Sequence, residues 1–325
     1  MAVTYCVYGL LVEIAAPVAG LVVARDSRTP DIRLHLAPER FATAALALGD
    51  DSLLVADNEA ATPLPVADGS YVFRYSDGMT FIMSPTGADV SVRWVAPSTL
   101  ADVMTYFLNP VMGFALRLRG LLCLHASAVV FGQSVIAFCG GPGAGKSTMA
   151  ALFAKSGVAV LTDDILPIYE QNGAFIVSSG YSFLKLWPDS SEMLFGRANA
   201  FPALTPTWPK QFVDLLGGQL AFATTPGPLG VIYLLKDREE DASTPRVQAI
   251  SARDAMVGLI ANSYPGAMLA PSMRAAEIGS ISRVIAKVPV RALTAHVDPA
   301  RLPALRDAVV ADLVCTSIIS ERLDV

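Results

Sequence analysis

Most of the side chains suited to chemistry lie between His125 and Asp164. The densest group is Gly140-Gly141-Pro142-Gly143-Ala144-Gly145-Lys146-Ser147-Thr148, which matches G-x-x-x-x-G-K-[ST]. Glycines let such a loop curl until successive backbone N–H groups point at phosphate oxygens. The positive end of a following helix adds to the same spot. In this motif Lys146 reaches the β- and γ-phosphates and the Ser147 hydroxyl ligates Mg²⁺. Fourteen residues separate Thr148 from two adjacent carboxylates, Asp163 and Asp164. Beside a phosphate loop they suit a Mg²⁺ partner and a general base. The plainer reading makes Asp164 a turn or helix cap. His125 stands alone in an apolar run. It is either a core histidine or a group that orients the aspartates.

These residues need particular elements to hold them. Val135–Cys139 is a short apolar run before the glycines, and 149–155 is helix-like, so the motif has a strand before it and a helix after it. Val158–Thr162 is β-branched and ends at the aspartates. Strand, loop, helix and strand then form one right-handed βαβ unit, with Asp163 and Asp164 delivered to the loop's edge of a parallel sheet. His125 lies in a strand, Leu121–Val130, joined to the next by a Gly132-Gln133 turn.

Upstream, Tyr5–Ile14 and Asp31–Leu36 are β-forming, and Asp77-Gly78 separates two alternating runs as a hairpin turn does. Residues 1–96 are predicted to be a mainly-β domain, with His35 facing solvent. A linking helix over 97–119, capped by Ser98 and kinked at Pro110, follows. Residues 120–325 form the second domain. In it, Lys185, Trp187 and Asp189 lie close together, with Asp189 suited to cap a helix. Pro202, Pro206 and Pro209, with Trp208 and Lys210 beside them, mark an irregular segment that is a candidate lid or acceptor-binding loop. Helices are expected over 251–261, 273–286 and 299–313, and strands over 229–235 and 290–294.

Composition excludes several classes. The chain has 325 residues, is 53% hydrophobic and 16% charged, and its mean hydropathy is +0.48. Every long apolar stretch is cut by charge or Pro, so no membrane span is predicted. Net charge is −5 and Lys and Arg form no long run, which argues against nucleic acid as partner. Cys6, Cys123, Cys139 and Cys315 are scattered without a C-x-x-C pair. That excludes a zinc site or disulfide scaffold and suits a reducing, cytoplasmic location. No cationic n-region opens the chain.

The run Leu124-His125-Ala-Ser-Ala-Val-Val, then Gly140–Ser147, then Leu161-Thr-Asp163-Asp164 resembles the catalytic core of HPr kinase/phosphorylase over about residues 120–170. The resemblance implies an α/β fold with a P-loop kinase core of the HPr kinase/phosphoenolpyruvate carboxykinase type, and ATP and Mg²⁺ as cofactors. It also implies phosphorylation of a serine hydroxyl on a peptide or protein, and a homo-oligomer. Gly140 to Thr148 would bind the nucleotide, Ser147 and Asp164 the metal, and Lys146, Asp163, Asp164 and His125 would serve transfer; which aspartate is the base stays open. That family's later Ile-Arg-Gly stretch has no counterpart, and Leu184-Lys-Leu-Trp-Pro-Asp189 stands in its place. With Asn262-Ser-Tyr264 and Val288-Pro-Val-Arg291, the layout is similar to HPr-kinase-like proteins of ribosomal-peptide (lasso-peptide) biosynthesis, which implies a precursor-peptide substrate. The alternatives are a nucleotide-gated binding module without transfer and a small-metabolite kinase. A transporter-type ATPase is disfavoured, since no Leu-Ser-Gly-Gly run occurs.

Overall fold

The computed structural model describes residues 1–36, 63–218 and 220–316. Residues 37–62 of the expected first domain, and those beyond 316, lie outside the described residues. The fold is mixed α/β. β1 (Val3–Val7), β2 (Leu10–Ile14), β3 (Val22–Val23), β4 (Ile32–His35), β5 (Leu64–Pro65), β6 (Tyr71–Arg74), β7 (Thr80–Met83) and β8 (Asp89–Arg93) form one sheet in the order β3-β1-β2-β4-β8-β7-β6-β5. The β-forming stretch Tyr5–Ile14 is a hairpin, because Tyr8 and Gly9 take φ of +55° and +79°, as a tight two-residue turn requires. The hairpin tip reaches the rest of the molecule: the Tyr8 N–H donates to the Ser179 carbonyl at 2.8 Å.

The linking segment is α1 (Leu100–Tyr106), a π-helical turn (Phe107–Val111) and α2 (Met112–Leu118). Its cap is Thr99 rather than Ser98: the Asp102 carboxylate accepts the Thr99 N–H at 2.7 Å, a capping box. At Pro110 the ladder widens into the π turn, since proline has no N–H and its ring crowds the carbonyl one turn back. One buried cluster joins Phe73, Phe81 and Val90 of the first sheet to Phe107 and Phe114, and continues to Cys123, Ile165 and Tyr181.

The remaining strands are β9 (Leu122–Phe131), β10 (Ser134–Cys139), β11 (Ala159–Thr162), β12 (Ile165–Gln171), β13 (Ala174–Val177), β14 (Phe183–Leu186), β15 (Gln211–Asp214), β16 (Gly227–Leu235), β17 (Arg246–Ala249) and β18 (Val290–Thr294). β10, β16 and β18 are neighbouring parallel strands, so their C-terminal ends share one edge. β11 does not pair with β10, as a simple βαβ unit predicts. β9 lies between them, antiparallel to both. The reason is local: the β9–β10 hairpin occupies one edge of β10 and β16 the other, which leaves β11 the far side of β9. The helices are α3 (Lys146–Ala154), α4 (Pro188–Phe195), α5 (Ala252–Ala261), α6 (Pro271–Lys287) and α7 (Leu302–Cys315). Asp189 lies in the first turn of α4, whose cap is Trp187, because Pro188 takes the first helical position. Among the described residues no helix is long and apolar enough to cross a membrane.

Candidate functional site

After Cys139 the chain turns through Gly140–Gly145 into α3. Gly145 has φ +99°, a conformation that side chains rarely tolerate. A Cβ at Gly140 would lie 3.0 Å from that of Ala144 and 3.2 Å from that of Leu235, so these residues back the loop. A Cβ at Gly141 or Gly143 would meet nothing within 4 Å; bare backbone there borders open space. The first N–H groups of α3 have no intrahelical acceptor and point the same way. Lys146 bends over the loop, its Nζ donating to the Gly141 carbonyl at 2.8 Å. Burial pulls its ammonium pKa down, and Asp164 and Asp163 oppose that. Gly141, Pro142, Gly143, Lys146 and Ser147 line a cavity of about 460 Å³. Thr148 also borders it, its hydroxyl 3.0 Å from that of Ser190.

The two aspartates sit in a sharp turn between β11 and β12. The Ile165 N–H donates to the Asp163 carbonyl at 2.8 Å, the Thr162 hydroxyl to the Ile165 carbonyl at 2.7 Å, and Asp164 takes φ +62°. The turn sends the carboxylates to different places. Asp163 is 0% exposed. Its Oδ1 accepts from the Ser127 hydroxyl at 2.5 Å and the Ser147 hydroxyl at 2.9 Å, and its Oδ2 from the Lys185 backbone N–H at 3.2 Å. Asp164 borders the cavity. Its Oδ2 accepts from Lys185 Nζ at 2.7 Å and the Tyr181 hydroxyl at 2.9 Å. The surroundings split the pair electrostatically. Burial raises the Asp163 carboxyl pKa, and the Asp164 charge adds to this against the donors around it. Burial acts on Asp164 too, but the Lys185 and Lys210 ammoniums outweigh it and hold that carboxyl well below the usual carboxylate range. The sequence pattern grouped Ser147 with Asp164; in the structure Ser147 meets Asp163, and Asp164 meets Lys185.

His125 stands opposite Ile165 in the β9–β12 register. Its ring stacks on Tyr264, centroids 5.2 Å apart and planes 22° apart. Among the described residues no hydrogen bond joins it to either aspartate, and its Nδ1 is buried without a partner. Burial first, then the Lys146 charge, pushes the imidazole pKa down to about 4, so the ring is neutral near pH 7.

Sequence reasoning missed Ser127, Tyr181 and Asn109 and left Lys185 without a role. Ser127 follows His125 by two residues on β9, the spacing that puts both on one face. Lys185 was visible as a charge inside Phe183–Leu186, a run that is otherwise apolar. Asn109, in the π turn, lies 3.2 Å from the Tyr181 hydroxyl, a contact between distant segments that no local pattern announces.

Among the described residues no group of three or more His, Cys, Asp or Glu could hold a metal ion alone. That does not count against Mg²⁺ at a phosphate loop, where phosphate oxygens, waters and one or two protein ligands complete the shell. The Ser147–Asp163 contact, with open backbone beside it, fits such an ion.

A scan of protein-family models gives no match to the chain, and a search of curated proteins gives none either. Among solved structures, the HPr(Ser) kinase/phosphatase from Coxiella burnetii aligns with 60% of this chain and 92% of its own, at 12% identity and a TM-score of 0.35. A likeness of that size carries no argument about activity.

Proposed function

We propose that the chain is an ATP-dependent kinase that transfers the γ-phosphoryl group to a serine hydroxyl of a peptide or protein. The observation that carries this reading is the placement of an ionised carboxylate, Asp164, on the same cavity as the glycine loop and Lys146. Phosphoryl transfer passes through a loose transition state, so it needs positioning and charge neutralisation more than a strong base. A carboxylate kept ionised by Lys185 suits that demand: it accepts a hydrogen bond from the acceptor hydroxyl and aims the oxygen. Lys146 leaves the Gly141 carbonyl for the β- and γ-phosphates, and the loop N–H groups hold the phosphate chain. Mg²⁺, when bound, neutralises charge between those phosphates. Ser147 would hold it, with Asp163 fixing the Ser147 hydroxyl from behind. His125 supplies a neutral ring and an unpaired Nδ1 beside Lys146.

The sequence resemblance extends the proposal to a serine on a ribosomally made precursor peptide. The test is incubation with γ-labelled ATP and Mg²⁺ in the presence of serine-containing peptides and, separately, small hydroxyl metabolites. Label on a peptide serine supports the proposal. Nucleotide binding without label on any acceptor replaces it with a nucleotide-gated binding module, and label confined to a metabolite replaces the acceptor class.

A further inference from the structure

The segment from 198 to 210 is held in place rather than hanging free. The Thr205 hydroxyl accepts the N–H groups of Thr207 at 3.2 Å and Trp208 at 3.0 Å. The Thr207 hydroxyl donates to Asp102, the carboxylate that caps α1. Trp208 packs edge-on against Tyr106, ring centroids 5.9 Å apart. The Lys210 carbonyl accepts the Leu204 N–H at 2.8 Å. This strap ends by placing Lys210 on the cavity wall, its Nζ 5.3 Å from the Trp187 ring centroid.

Lys210 makes no salt bridge among the described residues, although Lys185, on the neighbouring strand β14 and bordering the same cavity, is paired with Asp164. Its charge is nonetheless felt at the centre of the site: it acts on His125, Lys146, Asp164 and Lys185 together. Lys146, Lys185, Lys210 and Arg238 border the cavity, with Asp164 the carboxylate among them. That excess of positive charge calls for an anion, and a point near all four of the groups that Lys210 influences is where a terminal phosphoryl group would lie.

We infer that Lys210 is a phosphoryl-binding residue: its ammonium engages the terminal phosphate of a nucleoside triphosphate seated in the glycine loop, and the Asp102–Thr207 latch positions it. The inference rests on the nucleotide reading above. A charged hydrogen bond to phosphate is worth roughly tenfold in affinity, and ADP, lacking the γ-phosphate, does not receive it.

The experiment measures AMP-PNP and ADP affinity, with Mg²⁺, by titration calorimetry for the wild-type chain, Lys210→Gln, Lys210→Arg and Thr207→Val. Lys210→Gln is expected to weaken AMP-PNP by roughly tenfold and leave ADP nearly unchanged, which also shows that the variant is folded. Lys210→Arg should keep the preference for AMP-PNP. Thr207→Val should lose part of it, a change in selectivity that a merely structural role would not produce. Equal affinities of wild type and Lys210→Gln for AMP-PNP, or equal losses of both nucleotides, overturn the inference and leave the kinase reading standing. A wild-type chain that binds neither nucleotide overturns both.

Discussion

His125 is a residue whose surroundings change its chemistry. Burial among Tyr264 and the Lys146 charge holds its pKa near about 4 against an ordinary 6.5. The unfolded chain therefore binds the extra proton first. Stability conferred by the neutral ring is complete above the unfolded value and is lost as pH falls from 6.5 towards 4, by at most about 3 kcal/mol. A proton NMR titration of the folded chain should place the His125 ring midpoint near about 4; a midpoint close to the ordinary value would contradict the buried, neutral ring. At this scale the sequence was legible where chemistry is written in consecutive residues. Gly140 to Thr148 declares itself because its turn, its lysine and its helix start are neighbours in the chain. The partners of Asp163 and Asp164 did not, because Ser127 lies upstream on β9 while Tyr181 and Lys185 lie downstream in the segment of β14.

The elements position the site through close approaches. The segment leading into β14 passes against the end of β11: the Gly180 N–H donates to the Leu161 carbonyl at 2.8 Å. A Cβ on Gly180 would lie 2.4 Å from the Thr162 hydroxyl and 3.1 Å from the Tyr8 ring. That hydroxyl is the one that braces the aspartate turn. Gly180→Ala should therefore cost about 1–3 kcal/mol by overpacking, read as a lower urea midpoint; an unchanged midpoint would show that the approach is not tight. Strand and helix positions were largely legible, since alternating and apolar runs report local burial. Strand order was not. The separation of β10 from β11 by β9 follows from which edges the β9–β10 hairpin leaves free, and that is settled by pairing across the sheet.

At the scale of the whole molecule, the first sheet and the linking helices form part of the site's support. The core around Phe73 and Phe114 runs on to Tyr181, whose hydroxyl meets Asp164. A second tie is electrostatic. Arg117 of α2 donates to Glu277 of α6 at 2.5 Å, with side chains 4% and 2% exposed, and Ser263 donates to the same carboxylate. Ser263 precedes Tyr264, the ring that stacks on His125. Removing one member strands a buried charge, so Arg117→Met should cost about 3–5 kcal/mol, whereas adding Glu277→Leu should recover much of it. Denaturant unfolding reads both; a double variant no better than the single would show that the loss comes from packing. This tie was illegible in the sequence, since 160 positions separate its ends and nothing local marks either residue.

In the proposed reaction Asp164 positions an acceptor hydroxyl against a nucleotide held by the glycine loop. Asp164→Asn keeps the shape of the side chain and removes its charge, and it tests this most directly when nucleotide binding and transfer of γ-label to a peptide serine are measured on the same preparation. Transfer is expected to fall by at least about a hundredfold, with ATP affinity changed only a few-fold. Full transfer by Asp164→Asn, with nucleotide bound, would contradict it.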